Sequence, residues 1–141
     1  MQAGFNLERF ERAQAPVYET ALNELSAGRK RSHWMWFVFP QIAGLGRSEM
    51  AQRYAISSLD EALAYLAHPV LGARLRECCR VLADSDAGSA SDIFGYPDDM
   101  KFHSSLTLFA QAAPGESVFR ECLDKYFNGQ PDANTLSRLK A

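Results

Sequence analysis

Residues 28–41 read GRKRSHWMWFVFPQ: three cations, a hydroxyl, a histidine and two tryptophans, closed by proline and glutamine. As a strand, His33, Met35, Phe37 and Phe39 would alternate with Trp34, Trp36 and Val38. Both faces would be apolar, so the period cannot choose between strand and helix. Pairing can. A buried strand needs partners for its backbone N–H and C=O groups, and the rest of the chain offers no obvious second strand. The stretch is therefore expected to be helical from about residue 33 to 39, capped by Ser32 and ended near Pro40.

Helix punctuation recurs on either side of it. Asn6 can cap a short helix carrying Leu7 and Phe10, and Pro16 can open a second that Gly28 stops. Ser58 with Glu61 makes a capping box, and Pro69 starts a longer helix striped by Leu71, Leu75, Cys78 and Leu82. After the loop at residues 86–91, Ser91 can cap a turn through Ile93 and Phe94, and Pro97 opens PDDMKFHSSLTLF. Residues 116–127 give another amphipathic helix stopped by Gly129, and Asp132 can cap a last one. With no internal repeat and no long linker, the pattern predicts one domain over residues 1–141, an all-α bundle of about six to eight helices.

Composition narrows the function classes. The chain is 47% hydrophobic and 23% charged, ordinary for a folded soluble protein. A net charge of −2 gives no global attraction for nucleic acid or an acidic membrane, so any affinity for an anion must come from a local patch. The charged start of the chain and the lack of a long apolar run point to a cytoplasmic location without membrane contact. Cys78, Cys79 and Cys122 form no CxxC pair and read as thiols.

Two constellations carry chemistry. Arg29, Lys30 and Arg31 precede the expected helix, where free backbone N–H groups and the helix dipole favour an anion. Ser32 and His33 add donors, and Trp34 and Trp36 offer flat faces for a ring. The bland reading is equally physical: cations also stabilise the C-terminus of the helix ending at Gly28, and tryptophans are commonly core. In the second constellation, on a helix beginning at Pro97, Phe102, Leu106 and Phe109 make the apolar face. Lys101, Ser104, Ser105 and Leu108 lie beside it, and Asp98 and Asp99 suit the first turn. Helix-interior serine and threonine mark either close packing or ligand contact. A Lys101–Ser105 nucleophile lacks a visible oxyanion hole, and Asp99 with His103 matches no established metal pattern, so neither metal nor cofactor is expected.

The blocks ERFERAQ at 8–14, GRKRSHWMWFVFPQ at 28–41, HPVLG at 68–72, IFG at 93–95 and KFHSSLTLF at 101–109 resemble the family of domains of unknown function number 1810. The resemblance spans nearly all of the chain and implies a compact, mostly helical single domain. It supplies no reaction. The label calpastatin carried by some members has no support here, because calpain-inhibiting segments are disordered peptides and this chain is patterned for a core. The family blocks coincide with Lys30, Arg31, Ser32, His33, Trp34, Trp36, Pro40 and Gln41, and with Asp99, Lys101, Ser104, Ser105 and Thr107.

Three functions fit these residues. The leading one is binding of a phosphorylated small molecule or nucleotide in a polar cleft formed by segments 29–41 and 97–109. Lys30, Arg31, Ser32, His33, Trp34, Trp36, Gln41, Lys101, Ser104, Ser105 and Thr107 would line it. The second is hydrolysis of a nucleotide or ADP-ribose derivative with His33 or Asp99 as general base. The third is a protein-interaction module built on Trp34, Trp36 and Arg31. Lys30→Ala combined with Lys101→Ala is expected to abolish anion binding and leave the fold nearly unchanged.

Overall fold

A computed structural model describes residues 5–140, so the start of the N-terminal stretch read for a targeting signal lies outside the described residues. Among the described residues ten helices follow one another: α1 Glu8–Gln14, α2 Tyr18–Ser26, α3 Met35–Val38, α4 Glu49–Arg53, α5 Leu59–Ala67, α6 Leu71–Ala83, α7 Ala90–Phe94, α8 Asp98–Ala112, α9 Ser117–Phe127 and α10 Ala133–Lys140. The all-α class agrees with the sequence reading, and the count exceeds six to eight because that reading has no helix at α4 and only a turn at α7. The extended contact among the described residues is a bridge between Ile42 and Ile56, with Ile56 N–H donating to the Gln41 carbonyl at 2.8 Å.

α8 runs through the middle, packed by α5, α7, α9 and α10, with α6 bridging α5 and α9. Phe102 and Phe109 on α8 meet Phe39, Phe94, Tyr65 and Phe119 in edge, stacked and tilted aromatic pairs. Leu71, Leu75, Cys78 and Leu82 are buried together as their spacing requires. Cys78, Cys79 and Cys122 are free thiols in the core. Burial pushes the Cys78 thiol up to about 12, so at neutral pH it is a packing group rather than a nucleophile.

Several caps differ from the sequence expectation. Asn6 does not cap α1, and Ser91 gives way to Ser89, which forms a full capping box with Asp92. At α5 the Ser58 hydroxyl accepts from Glu61 N–H at 3.2 Å, but the Glu61 carboxylate turns instead to Ser57 N–H at 2.7 Å and to Arg9 at 3.2 Å. The predicted Ser32-capped helix over 33–39 is a single turn, α3, whose first residue follows Trp34 without a side-chain cap. Ser32 is drawn away by Glu24, which accepts its hydroxyl at 2.6 Å.

Candidate functional site

α2 ends as the sequence requires, and that ending shapes the first constellation. Gly28 takes φ +78°, and a side chain there would also press on the Ala87 Cβ. The chain then folds back over α2, so that Glu24 faces residues 31–34. Its carboxylate accepts Arg31 N–H at 2.8 Å, Ser32 N–H at 3.0 Å, the Ser32 hydroxyl and the Trp34 indole N–H at 2.9 Å. Loss of water around the carboxyl acts to raise its pKa. The donors outweigh that effect, the Ser32 hydroxyl foremost, and hold Glu24 down at about 2. The anion position anticipated at Arg31 and Ser32 is thus filled by the protein's own carboxylate.

Lys30 is likewise committed. Its ammonium lies 2.8 Å from Asp98 with only 8% of the side chain exposed, and 5.2 Å from the Trp34 ring. Trp34 is completely buried, which removes it as a ligand wall and as a partner-facing hot spot. Arg31 and His33 are exposed.

Asp98, in the first turn of α8, joins the two constellations. One oxygen pairs with Lys30, and the other lies 3.8 Å from the Lys101 ammonium. Lys101 sits 5.3 Å from the centre of the half-buried Trp36 ring. The segments at 28–41 and 97–109 therefore meet in space. At 3.8 Å this contact is too long for a hydrogen bond, and the Lys101 ammonium donates none to a described residue.

A cleft of about 230 Å³ opens beside that junction. It is lined by Gln41, Leu45, Gly46, Tyr96, Pro97, Met100, Lys101, Ser104, Asp132 and Asn134. Of the residues expected at a site, Gln41, Lys101 and Ser104 line this cleft; Tyr96, Asp132 and Asn134 line it too and were not expected there. Tyr96 is 79% exposed and Met100 54%, so the rim presents an aromatic face and a soft apolar side chain to solvent. Past Leu45 and Asn134 the cleft runs into a shallow groove bearing Arg47 and Arg138. The Arg138 guanidinium donates to the Gly44 carbonyl at 3.1 Å and occupies the space where a residue-44 Cβ would stand, so glycine at φ +99° lets the loop lie against α10.

The remaining predicted residues have internal roles. Thr107 donates to the His103 carbonyl and accepts Asp132 N–H at 2.9 Å. The one Ser104 hydroxyl proton is shared between the Met100 carbonyl and Asp132 Oδ2, each 3.1 Å from the hydroxyl oxygen. The same Oδ2 accepts Thr135 N–H at 3.0 Å and the Thr135 hydroxyl at 2.6 Å. These helix-interior hydroxyls fasten the start of α10 to α8. Ser105 is buried, and its hydroxyl has no hydrogen-bond partner among the described residues. Neither His33 nor Asp99 lines the cleft; Asp99 bonds locally to Met100 N–H at 2.9 Å. A separate hollow of about 380 Å³ at Ile42, Ser57, Ser58, Asp60 and Arg138 contains no residue of either constellation. Among the described residues no cluster of histidine, cysteine or acidic side chains is arranged to hold a metal ion, and no helix is long and apolar enough to cross a membrane.

Residues 4–139 match the model of a protein family described as a protein of unknown function, DUF1810. The crystal structure of the conserved hypothetical protein Rv1873 from Mycobacterium tuberculosis is similar at 52% identity, with a TM-score of 0.95, covering 97% of this chain and 98% of that one. No curated protein matches the chain.

Proposed function

The chain belongs to the DUF1810 family, and from that premise we propose that it binds a phosphorylated small molecule with a planar ring, by class a nucleotide, in the cleft between α8, the loop at 41–46 and the start of α10. One observation carries the reading. Lys101, at the junction of the two sequence blocks and with an ammonium that is incompletely paired, lines a cleft whose rim is an exposed tyrosine. The ammonium supplies the anion contact, and Tyr96 supplies a face for stacking.

Arg47 and Arg138 extend the positive wall, giving room for further phosphate. Of the groups the sequence reading offered for the anion, Lys101 keeps that role here, while at Arg31 and Ser32 Glu24 already sits. Lys30 now supports the site indirectly by neutralising one side of Asp98. Hydrolysis with His33 or Asp99 as base draws no support from this geometry, since both stand off the cleft.

Titration calorimetry with mononucleotides, nucleosides and inorganic phosphate tests the proposal. Mononucleotides should bind, the matching nucleosides should bind at least tenfold more weakly, and Lys101→Ala should remove that difference. A ligand at a hundred times its dissociation constant should also raise stability by about 2.7 kcal/mol in a thermal melt. Lack of binding by every phosphorylated compound, or unchanged binding in Lys101→Ala, overturns the reading.

A further inference from the structure

Asp132 is the unexpected member of the cleft: a carboxylate in a site proposed to receive an anion. Its two oxygens do different things. Oδ2 holds the start of α10 through Thr135 N–H, the Thr135 hydroxyl and the Ser104 hydroxyl. Oδ1 takes no hydrogen bond from any described residue and keeps access to solvent, and Asp132 lines the cleft. The helix cap fixes the carboxylate rigidly, and the residue is half-buried, which strengthens a hydrogen bond made there.

An ionised carboxylate accepts and never donates, so it rejects phosphate and ring acceptors and selects N–H donors. Gln41 and Asn134 line the same cleft, and their amide side chains are each able to donate to a carbonyl and accept from an amine. Among the common bases, only guanine shows two adjacent N–H donors, N1–H and N2–H, next to a carbonyl oxygen. We infer that Asp132 is the specificity-determining residue of the cleft and that the ring it receives is guanine-like, its N1–H and N2–H converging on Oδ1 while a Gln41 or Asn134 amide meets the carbonyl. This rests on the proposed nucleotide binding, with Lys101 and the Arg47–Arg138 groove left for phosphate. Adenine would set its N1 acceptor against the carboxylate, and hypoxanthine would lack the second donor.

The test compares GMP, IMP and AMP by calorimetry on the wild type, Asp132→Asn, Asp132→Ser and Lys101→Ala. Asparagine and serine also cap helices well, so both Asp132 variants keep α10 anchored, which circular dichroism and melting curves verify. The wild type should prefer GMP over IMP and AMP by about tenfold or more, the usual scale for a hydrogen bond to a charged group. Both Asp132 variants should lose that preference, while Lys101→Ala weakens all three nucleotides alike. Equal wild-type affinities, or a GMP preference that survives in the folded Asp132 variants, overturns the specificity assignment and leaves nucleotide binding standing. Lack of binding of any of the three, or unchanged affinity in Lys101→Ala, overturns the underlying reading and this inference with it.

Discussion

The turn around Glu24 and the cleft beside Lys101 draw on the same materials, cations, hydroxyls and aromatic rings, and arrive at opposite ends. Around Glu24 each donor is consumed internally: two backbone N–H groups, the Ser32 hydroxyl and the Trp34 indole all converge on one carboxylate. At the cleft the groups face outward. Lys101 stands 3.8 Å from its nearest acid, Asp132 keeps Oδ1 unengaged among the described residues, and Tyr96 is 79% exposed. The difference is one of supply. A buried donor must find an acceptor within the fold or incur a desolvation cost, whereas a group at an open cleft is satisfied by water until a ligand replaces it. Residue type marks where polar chemistry is concentrated, and partnership tells structure from site.

The largest effect that could break this contrast is at Trp34. Trp34→Ala should destabilise by roughly 3–5 kcal/mol in denaturant melts, because the ring is wholly buried and its N–H anchors Glu24. A cost below about 1 kcal/mol would mean that the turn is not the packed unit described here. Glu24→Gln is next, at about 1–3 kcal/mol, since it takes a charged acceptor from several donors.

The same carboxylate predicts a pH dependence. Its folded pKa of about 2 lies below the ordinary value of 4.5, so its stabilisation is fully present above 4.5 and is lost as pH falls from there towards 2. Glu24→Gln should flatten acid unfolding over that window, and a variant with the wild-type acid profile would contradict the assignment.

At the open end the expected effects on stability shrink while those on binding grow. Lys101→Ala should change stability by less than about 1 kcal/mol, given its long ion pair, and remove the phosphate preference. Lys30→Ala, with its ammonium buried against Asp98 at 2.8 Å, should cost more stability than Lys101→Ala despite identical chemistry. A double variant therefore should not leave the fold nearly unchanged, as the sequence suggested. Tyr96→Ala should be smallest, within about 0.5 kcal/mol in a melt, yet weaken nucleotide binding measurably if the ring stacks.

Much of the fold was legible because helix signals are local. The Leu71–Leu75–Cys78–Leu82 stripe, the Ser58 cap, the Gly28 stop and the Asp132 cap each depend on residues within one or two turns. The candidate cleft was legible in three of its ten lining residues. Gln41, Lys101 and Ser104 stood in conspicuous blocks, whereas Asp132 resembled any helix cap and Tyr96 any loop aromatic. Glu24 carried no sign of its role, because a glutamate on an exposed helix face looks the same whether or not a later turn folds over it.

By itself the sequence determined the all-α class, the approximate extents of the longer helices and the two segments in which polar chemistry gathers, since backbone propensity, capping and apolar period act over a few residues. Tertiary structure decided which cations are spent and which are spare. That outcome depends on distances between residues far apart in the chain, Glu24 to Trp34, Lys30 to Asp98 and Ser104 to Asp132, and electrostatic and hydrogen-bond partners are fixed only when the helices pack.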